Sequence, residues 1–261
     1  MKSHDHQHIN TDKFADSAGV PWEGRAFSEN PFSDDDGSAR PELIQAIKNF
    51  HQTQNPNEVF VEFTKSRLLI PLLAELGESG EGAHGQTVDK SADLSIVTVE
   101  TPDKKTALPV FSSVATMLHW NPKARPVPSD AIRVALAAAS EGTTRIVLDP
   151  GSETEFAIRR AAIAAMAQQK NWTAPYLDKK VFDEFNSAIS EEELVVELKL
   201  DTADPMSRLA GSEVVVTLFV KPGLGASELE VIMHRIMERW SASQVIASCV
   251  DSMTLMVKPN K

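Results

Sequence analysis

Two side chains in one block of this sequence could do chemistry: Arg125 could hold an anionic group, and Asp149 stands where functional groups often lie. Arg125 begins Arg125-Pro126-Val127-Pro128, and Asp149 opens Asp149-Pro150-Gly151 directly after the apolar run Ile146-Val147-Leu148. A guanidinium takes a carboxylate in a two-point, charge-assisted contact, and α/β proteins often place functional groups just past the ends of buried strands. Each residue also has a plainer reading, which comes first. Asp-Pro-Gly is an efficient turn in its own right, and Arg125 can pair with Asp149 simply to fix the loop before Pro126. Phe111, Met117 and Trp120 in the same block form either an apolar patch for a partner or part of the core, where large side chains mostly lie. Met237 and Trp240 pose the same choice.

Other candidate chemistry is thin. His4, His6 and His8 alternate along the N-terminal stretch, and imidazoles bind Zn²⁺ or Ni²⁺. A flexible tail lacks the outer shell that fixes ligand geometry, so no metal site is expected. Ser, His and Asp are present without a Gly-x-Ser-x-Gly elbow. No His-Glu-x-x-His, Walker loop or Gly-x-Gly-x-x-Gly fingerprint occurs, and Gly223-x-Gly225 is too short a signal for a nucleotide. No cofactor is expected. Glu191-Glu192-Glu193 and Asp34-Asp35-Asp36 read as solvated charge runs. Cys249, the single cysteine, lies in an apolar stretch and reads as a buried thiol.

Composition narrows the classes. With 261 residues, 42% apolar and 24% charged, the chain suits a soluble globular protein of two domains. A net charge of −11 makes nucleic acid an unlikely partner, because phosphate binding needs Lys and Arg to displace counterions. No run approaches the ~20 apolar residues of a membrane span, and the N-terminus lacks the apolar core of a signal peptide. Cytoplasm is the expected address.

The elements that must position these residues follow from periodicity and punctuation. Residues 1–40 show no hydrophobic period and read as a disordered acidic tail or, through Val20, Trp22, Phe27 and Phe32, a segment wrapped on a domain. Helices are expected from Pro41 and from Asn55-Pro56. Leu68–Leu73 reads as a strand whose Pro71 marks an edge or bulge. Residues 77–92 read as a flexible loop. Strands Leu94–Val99 and Ala107–Phe111 follow, then a helix capped by Ser112 or Ser113, an Ala-rich helix over 130–140, strand Arg145–Leu148 with a hairpin from Thr154–Ile158, and a helix to about Gln168. Residues 171–177 read as a linker. Beyond it come helix 178–188, strands Leu194–Leu200 and Glu213–Val220, a helix from Ser227 to Trp240, and strand structure over Val245–Val257. The fold class is therefore α+β: a tail (1–40), a mixed-sheet domain (41–170) and a small αββαβ, ferredoxin-like domain (178–261) with an antiparallel sheet. Strand Glu213–Val220 pairs across a dimer if it lies at an edge.

Leu108-Pro109-Val110-Phe111-Ser112-Ser113, Trp120, Arg125-Pro126-Val127-Pro128, Glu141-Gly142 and Ile146 to Gly151 together resemble the N-terminal domain of the SseB family. Ala18-Gly19-Val20-Pro21-Trp22, Glu29-Asn30-Pro31-Phe32, Arg67 to Pro71 and Leu94 to Val99 look like its actinobacterial branch, and Val250-Asp251-Ser252-Met253 resembles its C-terminal region. The resemblance implies an enhanced-serine-sensitivity phenotype but no agreed reaction, cofactor or functional residue. The expected function is a non-catalytic binding or regulatory role through an unknown protein partner, with homo-oligomerisation possible. The candidate contacts are Phe111, Trp120, Arg125 and Asp149. A small-ligand sensor using Arg125 and Asp149 and an uncharacterised enzyme are the alternatives.

Overall fold

The computed structural model describes residues 32–75, 80–81, 87–88 and 93–260. The His4-His6-His8 run, the apolar residues Val20, Trp22 and Phe27, and most of the 77–92 loop lie outside the described residues. Of that loop, β2 (Gly80–Glu81) and β3 (Thr87–Val88) pair antiparallel. Of the unit Met1–Asp35, the described part is a turn in which Asp35 N–H donates to the Phe32 carbonyl.

Asp36–Lys261 form one compact unit with two main cores. The first is built by α1 (Pro41–Thr53) and α2 (Asn57–Lys65). Proline suits the first turn of α1, where a missing N–H costs nothing. The i, i+3, i+4 spacing then buries Leu43, Ala46, Ile47 and Phe50, and α2 buries Val59, Phe60 and Phe63. Strand β1 (Leu68–Glu75) is the centre of a three-stranded sheet, not its edge, lying between β4 (Asp93–Ile96) and β7 (Arg125–Ser129). Pro71 is tolerated there because β4 pairs only from Leu72 onward and because Pro71 faces Pro126. Two prolines can oppose each other only where the ladder requires no N–H from either. Arg125 to Ser129 is thus strand, since φ near −65° also suits extended backbone.

The expected strand Leu94–Val99 is two. After β4 the chain leaves for a second sheet through β5 (Val99–Glu100), which pairs with β6 (Thr106–Val110) across the Thr101–Lys105 turn, where Lys104 has φ 62°. That sheet runs β5-β6-β8-β9, with β8 (Ile146–Leu148) parallel to β6 and β9 (Phe156–Ile158) antiparallel to β8. A bridge between Leu69 and Phe111 joins the two sheets. Between β6 and β8 come α3 (Val114–Trp120), capped by Ser113, and α4 (Ala131–Ser140), capped by Asp130. Gly142 ends α4 at φ 66°. The eight-residue α5 (Arg160–Ala167) completes the layer.

Residues 171–177 are packed rather than free. Ala174 is fully buried, its N–H donates to Asn57 Oδ1, and the Tyr176 hydroxyl donates to the Gln54 carbonyl. The second core lies between α6 (Lys179–Ser187), α7 (Ala226–Ala242) and α8 (Gln244–Cys249) and one face of the sheet β10-β11-β12 (Val195–Asp201, Val214–Val220, Met253–Pro259). Two expectations change here. Val245–Val257 is not all strand: Ser243 caps α8 over its first half. The sheet is not all antiparallel either: β11 and β12 are parallel, joined by the helical crossover that such strands require. Strand β11 is the middle strand, so it has no edge to offer a partner. Helix α7 is capped by Gly225, whose N–H donates to the Glu228 carboxylate, rather than by Ser227. Cys249 is half-buried at the end of α8.

The β10–β11 loop ties the two cores together. Ala157 N–H donates to the Ser207 carbonyl at 2.7 Å, so this loop covers the free edge of β9. Leu209, 1% exposed, inserts among Ala107, Val147 and Ala157.

Candidate functional site

The turn after β8 is held from within. The Asp149 carboxylate is fully buried; its Oδ1 accepts from Ser112 N–H at 2.8 Å and its Oδ2 from the Ser112 and Thr154 hydroxyls at 2.6 and 2.8 Å. Thr116 Oγ1 lies 3.0 Å from Oδ1. Asp149 itself has φ 46°, a conformation that Asp tolerates better than most residues. One side chain thereby locks the end of β6, the start of α3 and the Pro150–Thr154 turn. Arg125 takes no part in it. Its side chain is exposed on β7, in the other sheet, and no ion pair joins it to Asp149. The expected Arg125–Asp149 contact is therefore absent, because strand pairing turns the guanidinium to solvent while β8 carries the carboxylate inward.

Above this lock lies a groove of about 390 Å³ whose lining includes Val99, Pro102, Trp120, Pro150, Glu155 and Arg208. The Trp120 ring is half-buried and rests on Phe111, centroids 5.2 Å apart. Phe111 and Met117 are wholly buried with Leu69 and Ala124 behind it. Phe111 thus supports the groove without reaching its surface, and Trp120 is the aromatic that faces outward. Trp240, by contrast, is 2% exposed, stacks edge-on against Phe185 and donates its indole N–H to the Phe185 carbonyl. It is a core residue, although its neighbour Met237 is exposed.

The second concentration of polar groups lies where the two cores meet. Arg145 Nη2 is 2.9 Å from both Asp103 and Asp251, and Arg159 binds Asp204 at 2.6 Å and Asp251 at 3.4 Å. Arg160 approaches Asp251 at 4.0 Å. Asp204 also accepts from Arg208 and Leu209 N–H groups and so shapes the β10–β11 loop. These three arginines and three aspartates balance. Glu213, 4% exposed beside them, would add an uncompensated charge. Burial pushes its carboxyl up to about 7, Asp251 N–H and Arg159 opposing the rise. Burial likewise raises the Tyr176 phenol above its ordinary value. Burial also works against the Asp103 carboxylate, but the Thr101 hydroxyl and Arg145 outweigh it and hold its pKa down. The adjoining cavity, with Arg159, Tyr176, Asp204 and Glu213 in its wall, has about 30 Å³, room for one or two waters.

Sequence reasoning missed this cluster. Its members come from β5–β6, β8, α5, the β10–β11 loop and the segment before β12, and only Val250-Asp251-Ser252-Met253 stood out beforehand. It also misjudged the Glu191–Glu193 run: Glu192 is 5% exposed and bonds Arg235 through both oxygens at 3.0 and 2.6 Å. Those bonds, with Arg239 beside them, lower its pKa. Among the described residues, no group of three or more His, Cys, Asp or Glu could hold a metal ion. No helix among them is long and apolar enough to cross a membrane.

Residues 42–165 fit the family described as the SseB protein N-terminal domain. No curated protein and no solved structure matches the chain.

Proposed function

For a chain that belongs, through residues 42–165, to the SseB family, we propose a non-catalytic binding or regulatory function exercised on a protein partner, in the cytoplasm. The observation that carries this reading is the Trp120 groove: an aromatic face flanked by Val99, Pro102 and Pro150, floored by a fully buried core and ringed by Glu155 and Arg208. Aromatic anchors on rigid backing are what dominate protein interfaces. The Asp149 lock matters to it as scaffolding, since it fixes the turn that bears Pro150.

The buried ion pairs support the same reading, and Glu213 faces a cavity of only about 30 Å³. Arg145, Arg159, Asp204 and Asp251 are engaged with one another, and Asp149 with hydroxyls and an N–H. A general acid–base pair needs a group free to reach a substrate proton. The sensor alternative asked for Arg125 and Asp149 in one pocket, and that support is gone. Affinity capture from an extract of the producing organism tests the proposal. A partner should be retained by the wild-type chain and by Leu136→Ala, whose side chain is 60% exposed on α4, and lost with Trp120→Ala. A partner held equally by all three would refute the assignment of the groove.

A further inference from the structure

Sheet β10-β11-β12 has two edges, β10 and β12, and they differ in what they can pair with. An uncovered edge presents a row of backbone donors and acceptors that another strand can satisfy. Strand β12 ends in Lys258-Pro259; the proline has no N–H, and the lysine finds no acid on its own strand to oppose it. Strand β10 has the sequence Val195-Val196-Glu197-Leu198-Lys199-Leu200-Asp201. Antiparallel pairing of this strand with itself about Leu198 sets Glu197 opposite Lys199 and Lys199 opposite Glu197. It also sets Leu198 opposite Leu198. The strand is therefore complementary to a second copy of itself in charge and in apolar pattern.

The surroundings leave room for the second strand. A groove of about 550 Å³ lies over the open face of the sheet at Glu197, Lys199, Thr217, Phe219 and Lys258 and reaches Tyr176 and Phe182 beside β10. Phe182 and Val196 are apolar and 37% and 50% exposed. Glu197 and Lys199 lie on the sheet face opposite the helices and meet within one chain at 3.2 Å, with 48% and 61% of each side chain exposed. Exchanging that pair for the same pair across a two-fold axis buries no new uncompensated charge. The bulge between Val195 and Glu197 leaves Glu197–Asp201 as the regular ladder, which holds the central Glu197, Leu198 and Lys199.

We propose that the protein forms a homodimer by antiparallel pairing of β10 with β10 of a second copy, centred on Leu198, which joins two three-stranded sheets into one of six strands. The interface is isologous, as a two-fold pairing requires. It lies on the second core and does not depend on the Trp120 groove.

Sedimentation velocity of the full chain over a concentration series tests this with two variants. Wild type should move from monomer to dimer as concentration rises. Lys199→Glu sets carboxylates at positions 197 and 199 against each other in both halves of the interface and should weaken the dimer by about tenfold or more. Combining Glu197→Lys with Lys199→Glu restores opposite charges across the axis and should restore the dimer. Both positions are exposed, so thermal melts should show all three chains equally folded. A wild-type chain that stays monomeric throughout overturns the proposal. So does a dimer that Lys199→Glu leaves unchanged, or one that the double exchange fails to recover.

Discussion

Replacing Glu213 with glutamine should make the protein more stable at alkaline pH and leave it nearly unchanged in mild acid. Glu213 is 4% exposed, and its carboxyl is raised from 4.5 to about 7 because burial disfavours the ionised form. Its neighbours already balance, with Arg145, Arg159 and Arg160 facing Asp103, Asp204 and Asp251. The folded state therefore keeps a proton that the unfolded chain releases. The stability this group contributes is fully present below about pH 4.5 and is lost as pH rises through about 7. At 1.36 kcal/mol per pKa unit, the loss amounts to about 3 kcal/mol. Glutamine has the shape of the protonated acid, and its amide oxygen can accept the Asp251 N–H that Glu213 Oε2 now accepts at 2.6 Å. Chemical denaturation of both chains at about pH 4 and about pH 8 isolates the effect, since other titrating groups cancel in the difference. The glutamine variant should gain up to about 3 kcal/mol on wild type at the higher pH only. A difference that is the same at both values would refute the reasoning.

Other substitutions probe the scaffold. Asp149→Ala leaves the buried Ser112 N–H and the Ser112 and Thr154 hydroxyls without their acceptor, and denaturant titration should show a loss of about 3 kcal/mol; a loss within error of zero would mean that the turn is held by something else. Gly211→Ala places a methyl 2.2 Å from the Ala203 carbonyl oxygen. The β10–β11 loop cannot keep its path, and thermal melting should register a loss of about 1–3 kcal/mol, whereas an unaltered melt would contradict the tight approach. Leu209→Ala empties a site between Ala107, Val147 and Ala157 and should cost about 2–5 kcal/mol. Wild-type unfolding should be a single transition, and Leu209→Ala should broaden or split it if this contact couples the two cores.

Much of the architecture was legible because its signals are local. Pro41 with Leu43, Ile47 and Phe50 specifies α1, and Asp130 with Gly142 brackets α4. What failed depended on neighbours distant in sequence. Pro71 looks like an edge marker until Pro126 is found opposite it. Val245–Val257 reads as apolar strand because nothing local reveals that Ser243 caps a short helix against α6 and α7. Phe111 and Trp120 were both readable only as partner patch or core, since which of them faces solvent depends on Leu69 and Ala124 behind them. Arg125 and Asp149 share a sequence block but belong to different sheets. The Arg145–Arg159–Asp251 cluster draws on five separate segments, so no spacing rule could have assembled it.

The most direct test of the binding role is the side-chain indole spectrum of the labelled chain during titration with the partner that affinity capture returns. Trp120, assigned by its disappearance in Trp120→Phe, should shift in proportion to partner added, while Trp240, whose N–H is bonded to the Phe185 carbonyl inside the second core, should stay in place. A stationary Trp120 signal at saturation would contradict the account.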